Sequence, residues 1–348
     1  MPMRHLDDGT MRAKCSCMRL VDYGVLLVLV PTSGLTLTAC GDSDSTPPED
    51  SGAVDAGQAD GGTDITDAAF TERDGACTAY VGSYVASATD LGRQMDFTAT
   101  VDITAAGDGC TLTSNGIPNH DFNDAGAFAT AVAEVVESFT LAGSPSAAAS
   151  PTALSLAFDN GVFRNGVKLD VLAAACYGVG NEPLGQEKIG CMAEGTPWRY
   201  DPMFPGNNFG TDGNNAHTQP DGAYHYHGDP SAMYDESGAV ASGVIGFAAD
   251  GFPIYGPYID DGGAVRRVVS GWTLKAGARE SQDGEGAFPG GEYDGTYVDD
   301  YEFTDAGDLD ECNGMTREGT YGYYVTAGYP WVIGCFAGTP DDSFRKGP

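Results

Sequence analysis

The sequence predicts a mainly β fold with few short helices, glycine-rich, stapled by disulfides and forming a single domain. Three observations predict it. Apolar residues recur with period two more often than with the helical period of 3.6. Glycine supplies 50 of the 348 residues and divides the chain into short runs. Of nine cysteines, six fall in the part expected to fold, an even number.

The elements follow in order. "MDFTATVDIT" places Phe97, Ala99, Val101 and Ile103 on one face of a strand. "AGAFATAVAEVVESF" is the one helical candidate, with Phe128, Val132, Val135 and Val136 at helix spacing, although it runs directly into the strand-like "VESFTLA". "ALSLAF" alternates Leu154, Leu156 and Phe158. "VIGFAADGFPIYGPY" reads as a hairpin, with Asp250-Gly251 at its turn. The aromatic and β-branched tail "TYGYYVTAGYPWVIGC" reads as strand. No internal repeat of 20–50 residues and no second linker interrupts the chain.

Residues 1–39 have the composition of an export signal: a basic head, then "GVLLVLVPTSGLTLTA", broken by Pro31 and Gly34 and shorter than the roughly 20 residues that span a bilayer. "LTAC" resembles a bacterial lipobox, which would make Cys40 the lipidated first mature residue; the alternative is an ordinary signal with a chance cysteine. Residues 40–76 carry ten acids, Arg73 as their single base and few bulky side chains, so a disordered tether is expected. Residues 77–109 would then be an N-terminal β extension and 339–348 a tail. Cys15 and Cys17 lie in the signal. The remaining six allow 15 pairings, of which nearest neighbours are expected because short loops close most easily: Cys77–Cys110, Cys176–Cys191 and Cys312–Cys335. The chain is thus expected in the cell envelope, periplasmic or at the surface, reaching the membrane only through its lipid.

A formal net charge of −33 repels phosphate backbones and excludes nucleic acid as a partner class. The chain contains no phosphate-binding loop, G-x-S-x-G elbow or H-E-x-x-H pair. "DFNDAGAFATAV" begins like a calcium loop but has Val132 where a bidentate glutamate is required.

The chemistry concentrates in its histidines. The sequence has five, and His5 is lost with the signal. His217, His225 and His227 fall within "AHTQPDGAYHYHG". On an extended strand, His225 and His227 project from one face, and Tyr224 and Tyr226 from the other. "TQPDG" suits a chain reversal that returns His217 beside the pair. Three neutral imidazoles suit a transition metal, with zinc or copper favoured, and an open fourth position would make the site reactive. The plainer alternative is that these rings hydrogen-bond backbone and fix loops. His120 in "SNGIPNH" is a candidate ligand or a group that orients one. Asp250 is a turn former, or a carboxylate that orients a histidine.

"SNGIPNH", "NGVKLD", "AHTQPDGAYHYHG", "IGFAADGFPIYGPY", "LKAGAR", "YDGTYVDDYEF", "LDECNG" and "GTYGYYVT" occur here in the order found in YHYH-domain proteins. The chain resembles that family over roughly residues 110–338. The resemblance implies export and family membership, with His120, His217, His225, His227 and Asp250 inside the family's motifs, and it implies no reaction. Three functions follow as expectations. The first is an envelope lipoprotein with a histidine-based zinc or copper site, open to catalysis. The second is a calcium-stabilised binding or adhesion module, with acidic loops such as "TDGNN" and "DECNG". The third is a metal-independent hydrolase using a histidine oriented by Asp250. A small molecule, a glycan or a protein could each be the partner.

Overall fold

The computed structural model describes residues 61–180, 190–284 and 286–347. The export segment and Cys40 lie outside them. The described chain is mainly β: nineteen short strands and four 3₁₀ turns, of which Cys77–Tyr80 is the longest at four residues.

Five strands form the first sheet in chain order: β1 (Thr63–Asp64), β2 (Gly82–Asp90), β3 (Met95–Ala106), β4 (Gly109–Ser114) and β5 (Glu137–Leu141). On β3 the expected alternation is realised, since Ala99, Val101 and Ile103 are buried and Thr100 and Asp102 between them are exposed. A half-buried antiparallel sheet produces this pattern. Phe139 and Leu141 of β5 point into the same core, whereas Val136, just before it, stands 74% exposed.

The second sheet has eight strands. They are β7 (Gly161–Phe163), β8 (Lys168–Leu169), β9 (Ala216–Thr218), β10 (Tyr224–Tyr226), β11 (Val244–Ala248), β12 (Pro253–Tyr255), β17 (Gly314–Arg317) and β18 (Thr320–Tyr324). Their spatial order is β17-β18-β12-β11-β7-β8-β10-β9. β11 is central and every residue in it is buried, which explains its unbroken apolar sequence. β11 and β12 make the hairpin predicted around Asp250-Gly251, where Gly251 adopts φ +87°. Three two-stranded pairs complete the fold: β13 (Tyr258–Asp261) with β14 (Ala264–Arg267), β15 (Trp272–Leu274) with β16 (Tyr301–Phe303), and β6 (Thr152–Ala153) with β19 (Cys335–Phe336).

One hydrophobic core unites the two sheets, running from Val101, Leu112 and Phe139 to Val162, Tyr226 and Phe247. The tip of the β7–β8 hairpin abuts β4, with Ser114 Oγ donating to the Gly166 carbonyl at 2.5 Å. Gly166 has φ +85°, and a Cβ there would stand 2.5 Å from that of Ser114, so only glycine fits. Disulfides join Cys77 to Cys110, Cys176 to Cys191 and Cys312 to Cys335.

Three expectations need correction. Residues 61–76 are not tether: β1 pairs with β2, and Ile65 and Phe70 are buried. Arg164 explains this fold-back, because its guanidinium lies 4.4 Å from the Phe70 ring centre and 3.9 Å from that of Tyr80 and bonds Glu72 at 2.9 Å. Residues 77–109 form β2 and β3, and the sheet they begin runs on past residue 110 through β4. The helical candidate is irregular extended chain. Its backbone bonds outward rather than to itself, Ala133 to Gly222 and Val135 to Asn115, and these contacts override a weak propensity. In "ALSLAF", residues 154–158 turn instead of continuing β6.

Candidate metal centre

β9 and β10 form an antiparallel hairpin in which His217 stands directly opposite His225. The connection closes through Gln219 N–H to Ala223 O at 2.9 Å and Gly222 N–H to Gln219 O at 2.9 Å, the reversal that "TQPDG" predicts. Gly222 takes φ +90° there. His227 leaves the strand with its N–H bonded to Asn215 O, which keeps it in line with His225.

The three rings converge through their Nε2 atoms. His225 Nε2 lies 3.1 Å from His227 Nε2, and His227 Nε2 lies 3.0 Å from His217 Nε2. One ligand nitrogen from each ring lies within 4.8 Å of the others. Among the described residues this is the one group of three or more such side chains arranged to hold a metal ion. Nitrogens sharing a tetrahedral ion with bonds of 2.0–2.1 Å stand about 3–3.5 Å apart, and the two spacings that meet at His227 fit this.

The ring tautomers fit as well. His217 Nδ1 is 2.7 Å from Phe209 O and His225 Nδ1 is 3.5 Å from Ala223 O. A carbonyl only accepts, so His217 Nδ1 carries the hydrogen and its Nε2 presents a lone pair; the longer His225 contact favours the same tautomer. His227 Nε2–H can donate to one of these two lone pairs and leaves the other facing it. A cation would take all three. Burial, followed by the repulsion of neighbouring imidazoles, holds His225 and His227 well below the usual histidine pKa, so both are neutral at pH 7. His227 Nδ1 faces the backbone of Asp170 and Val171 without a hydrogen bond of normal geometry.

The other face of β10 is structural. Tyr224 donates to Asp212 Oδ2 at 2.8 Å, and the Tyr226 hydroxyl lies 2.6 Å from His120 Nε2 and accepts from Asn165 Nδ2 at 3.0 Å. Both tyrosines are fully buried, which raises their pKa values far above 10. His120 therefore braces the strand from behind and is not a fourth ligand. Asp250 serves elsewhere: it accepts from Tyr323 at 2.6 Å, Gly338 N–H at 2.9 Å and Phe252 N–H at 3.4 Å, none of them a histidine. The Asp–His pair of the metal-independent hydrolase is thus not formed. In the loops expected to hold calcium, Asp212 and Asp310 spend their oxygens on neighbouring N–H groups and on Tyr224 and Tyr321.

A family model described as YHYH protein matches residues 138–338. The chain belongs to the YHYH protein family. The matched region contains all three converging histidines, whereas His120, most of the first sheet and the tail after residue 338 fall outside it. It is shorter than the expected 110–338. Nothing matches the chain among curated proteins or among solved structures. No helix of the described residues is long and apolar enough to cross a membrane.

The three histidines line a cavity of about 600 Å³. Its walls include Leu156, Leu172, Met192 and Phe209, with Asp170, Gln219 and Lys346 among its polar groups. Sequence reasoning missed these three. Asp170 sits in "NGVKLD" and Gln219 in "HTQPDG", but only the parallel pairing of β8 with β10, which sets Lys168 beside His225, brings Asp170 to the histidines.

Proposed function

We propose that this chain is an exported, lipid-anchored envelope protein that holds one zinc or copper ion on the Nε2 atoms of His217, His225 and His227. A remaining coordination position would face the cavity. The observation that carries the proposal is the convergence of three imidazoles, with His227 Nε2 lying 3.1 Å from His225 Nε2 and 3.0 Å from His217 Nε2. Imidazole ligands suit zinc and copper better than calcium, and the acidic chain favours a bound cation. When bound, such an ion would polarise an oxygen of a ligand or lower the pKa of a water.

The protein's own part is arrangement. Phe209 O sets the tautomer of His217, and the Tyr224 and Tyr226 anchors hold the strand. Three disulfides support an oxidising, extracytoplasmic location.

Titration of metal-free protein with zinc, copper(II) and calcium tests this. We expect about one zinc or copper per chain and a raised melting temperature, with no calcium effect. A response to calcium alone would overturn the proposal. Anchoring is tested separately: Cys40→Ser should move the protein from the membrane to the soluble fraction.

A further inference from the structure

One wall of the histidine cavity is an aromatic ring that the core leaves out. Phe209 stands half-buried and outside the hydrophobic core of the described residues. Asn208 at φ +47° and Gly210 at φ +71° bracket it, so the chain turns on either side of this residue. Between the turns its carbonyl accepts from His217 Nδ1 at 2.7 Å, and its ring centre lies 6.3 Å from that of His227. Phe209 is thus fixed to two of the three converging histidines, by backbone to one and by side chain to the other. Its ring lines the cavity beside them, and Leu156, Leu172 and Ala173 belong to the same lining. A volume of about 600 Å³ is that of a small-molecule site. Apolar walls of this kind favour a ligand that covers them with apolar surface, in proportion to the area removed from water.

Resting on the metal reading of this site, we propose that Phe209 selects the ligand of the cavity: a small molecule with a flat apolar body and a nitrogen or oxygen head. The head takes the coordination position that faces the cavity, and the body packs against the Phe209 ring. Aromatic bodies are preferred, because an offset or edge-on pair of rings adds to the gain from burial. A head without a body is held by the metal alone and gains nothing from Phe209. The two parts of this residue therefore have separable roles. Its carbonyl sets the tautomer of His217, whereas its ring decides which ligand is retained.

The test uses full-length protein loaded with zinc, or with copper(II) if zinc is not retained, and metal content is measured on each sample. The probes are imidazole and 4-phenylimidazole, which share a donor head and differ in the phenyl body. After correction for their affinities toward the free ion, the wild type should bind 4-phenylimidazole about ten-fold more tightly in calorimetric titration. Phe209→Ala keeps the carbonyl on His217 and removes the ring. The preference should then fall by about three-fold or more, with metal content and imidazole affinity unchanged. Phe209→Leu, which keeps more of the wall, is read if the alanine variant does not hold metal, and there the fall should be about two-fold. Equal affinities in the wild type, binding of neither probe, or an undiminished preference in the metal-retaining variant would overturn the inference and leave the metal reading standing. Loss of metal from both variants would make Phe209 a part of the metal site rather than its selector, and would overturn the inference too. A wild type that takes up neither zinc nor copper would overturn both readings.

Discussion

The hydroxyl of Tyr226 lies 2.6 Å from His120 Nε2, on the face of β10 opposite His225 and His227. The strand that presents the histidines is therefore clamped from behind by a buried polar contact, which Asn165 completes at 3.0 Å. Tyr226→Phe removes one hydrogen-bond partner from each of His120 and Asn165 without changing shape. We expect a loss of about 1–3 kcal/mol in urea unfolding, with metal stoichiometry retained and affinity reduced.

Acid should act on His225 and His227 directly. Their folded pKa values lie below the unfolded value of about 6.5. The unfolded chain therefore binds more protons, and their contribution is complete above about pH 6.5 and is lost as pH falls through that value toward the lowered folded pKa. Buried carboxyls act in the opposite sense, with Asp159 raised to about 7 and Asp201 and Asp229 to about 6. The histidine share is isolated by comparing metal-free wild type with His225→Phe/His227→Phe. Between pH 7.5 and 5 the wild type should lose stability relative to the variant, and bound metal should be released over the same range.

Asp250 provides a control for the site. Its carboxylate holds Tyr323, Gly338 and Phe252 rather than a histidine. Asp250→Asn should cost about 1–3 kcal/mol of stability and leave metal content unchanged. Loss of metal with stability intact would contradict a purely structural role for this carboxylate.

The Cys176–Cys191 disulfide closes a 15-residue separation next to Ala173, Ala174 and Met192 of the cavity wall. Cys176→Ser/Cys191→Ser should lower stability by about 3 kcal/mol, read from the urea midpoint under oxidising conditions. The histidine hairpin lies outside that loop, so metal stoichiometry should persist.

Much of the site was legible because its determinants are local. H-x-H on a strand and a five-residue turn place His217, His225 and His227 within eleven residues of one another, and alternation alone sends Tyr224 and Tyr226 to the core. The disulfide pairing was legible for the same reason. Long-range partners were not. Nothing local shows that residues 125–136 bond to Asn115 and Gly222 instead of closing helical turns, or that Arg164 draws Phe70 and its acidic surroundings onto the fold. His120 and Asp170 lie in recognisable motifs, yet their roles depend on which face of β10 each meets, and sheet order decides that.

X-ray absorption of the zinc- or copper-loaded protein is the most direct measurement of the central claim. The predicted result is three imidazole nitrogens at about 2.0–2.1 Å from the ion, reduced in number in His225→Phe. A first shell of oxygen or sulfur alone, or a spectrum unchanged by that substitution, would contradict it.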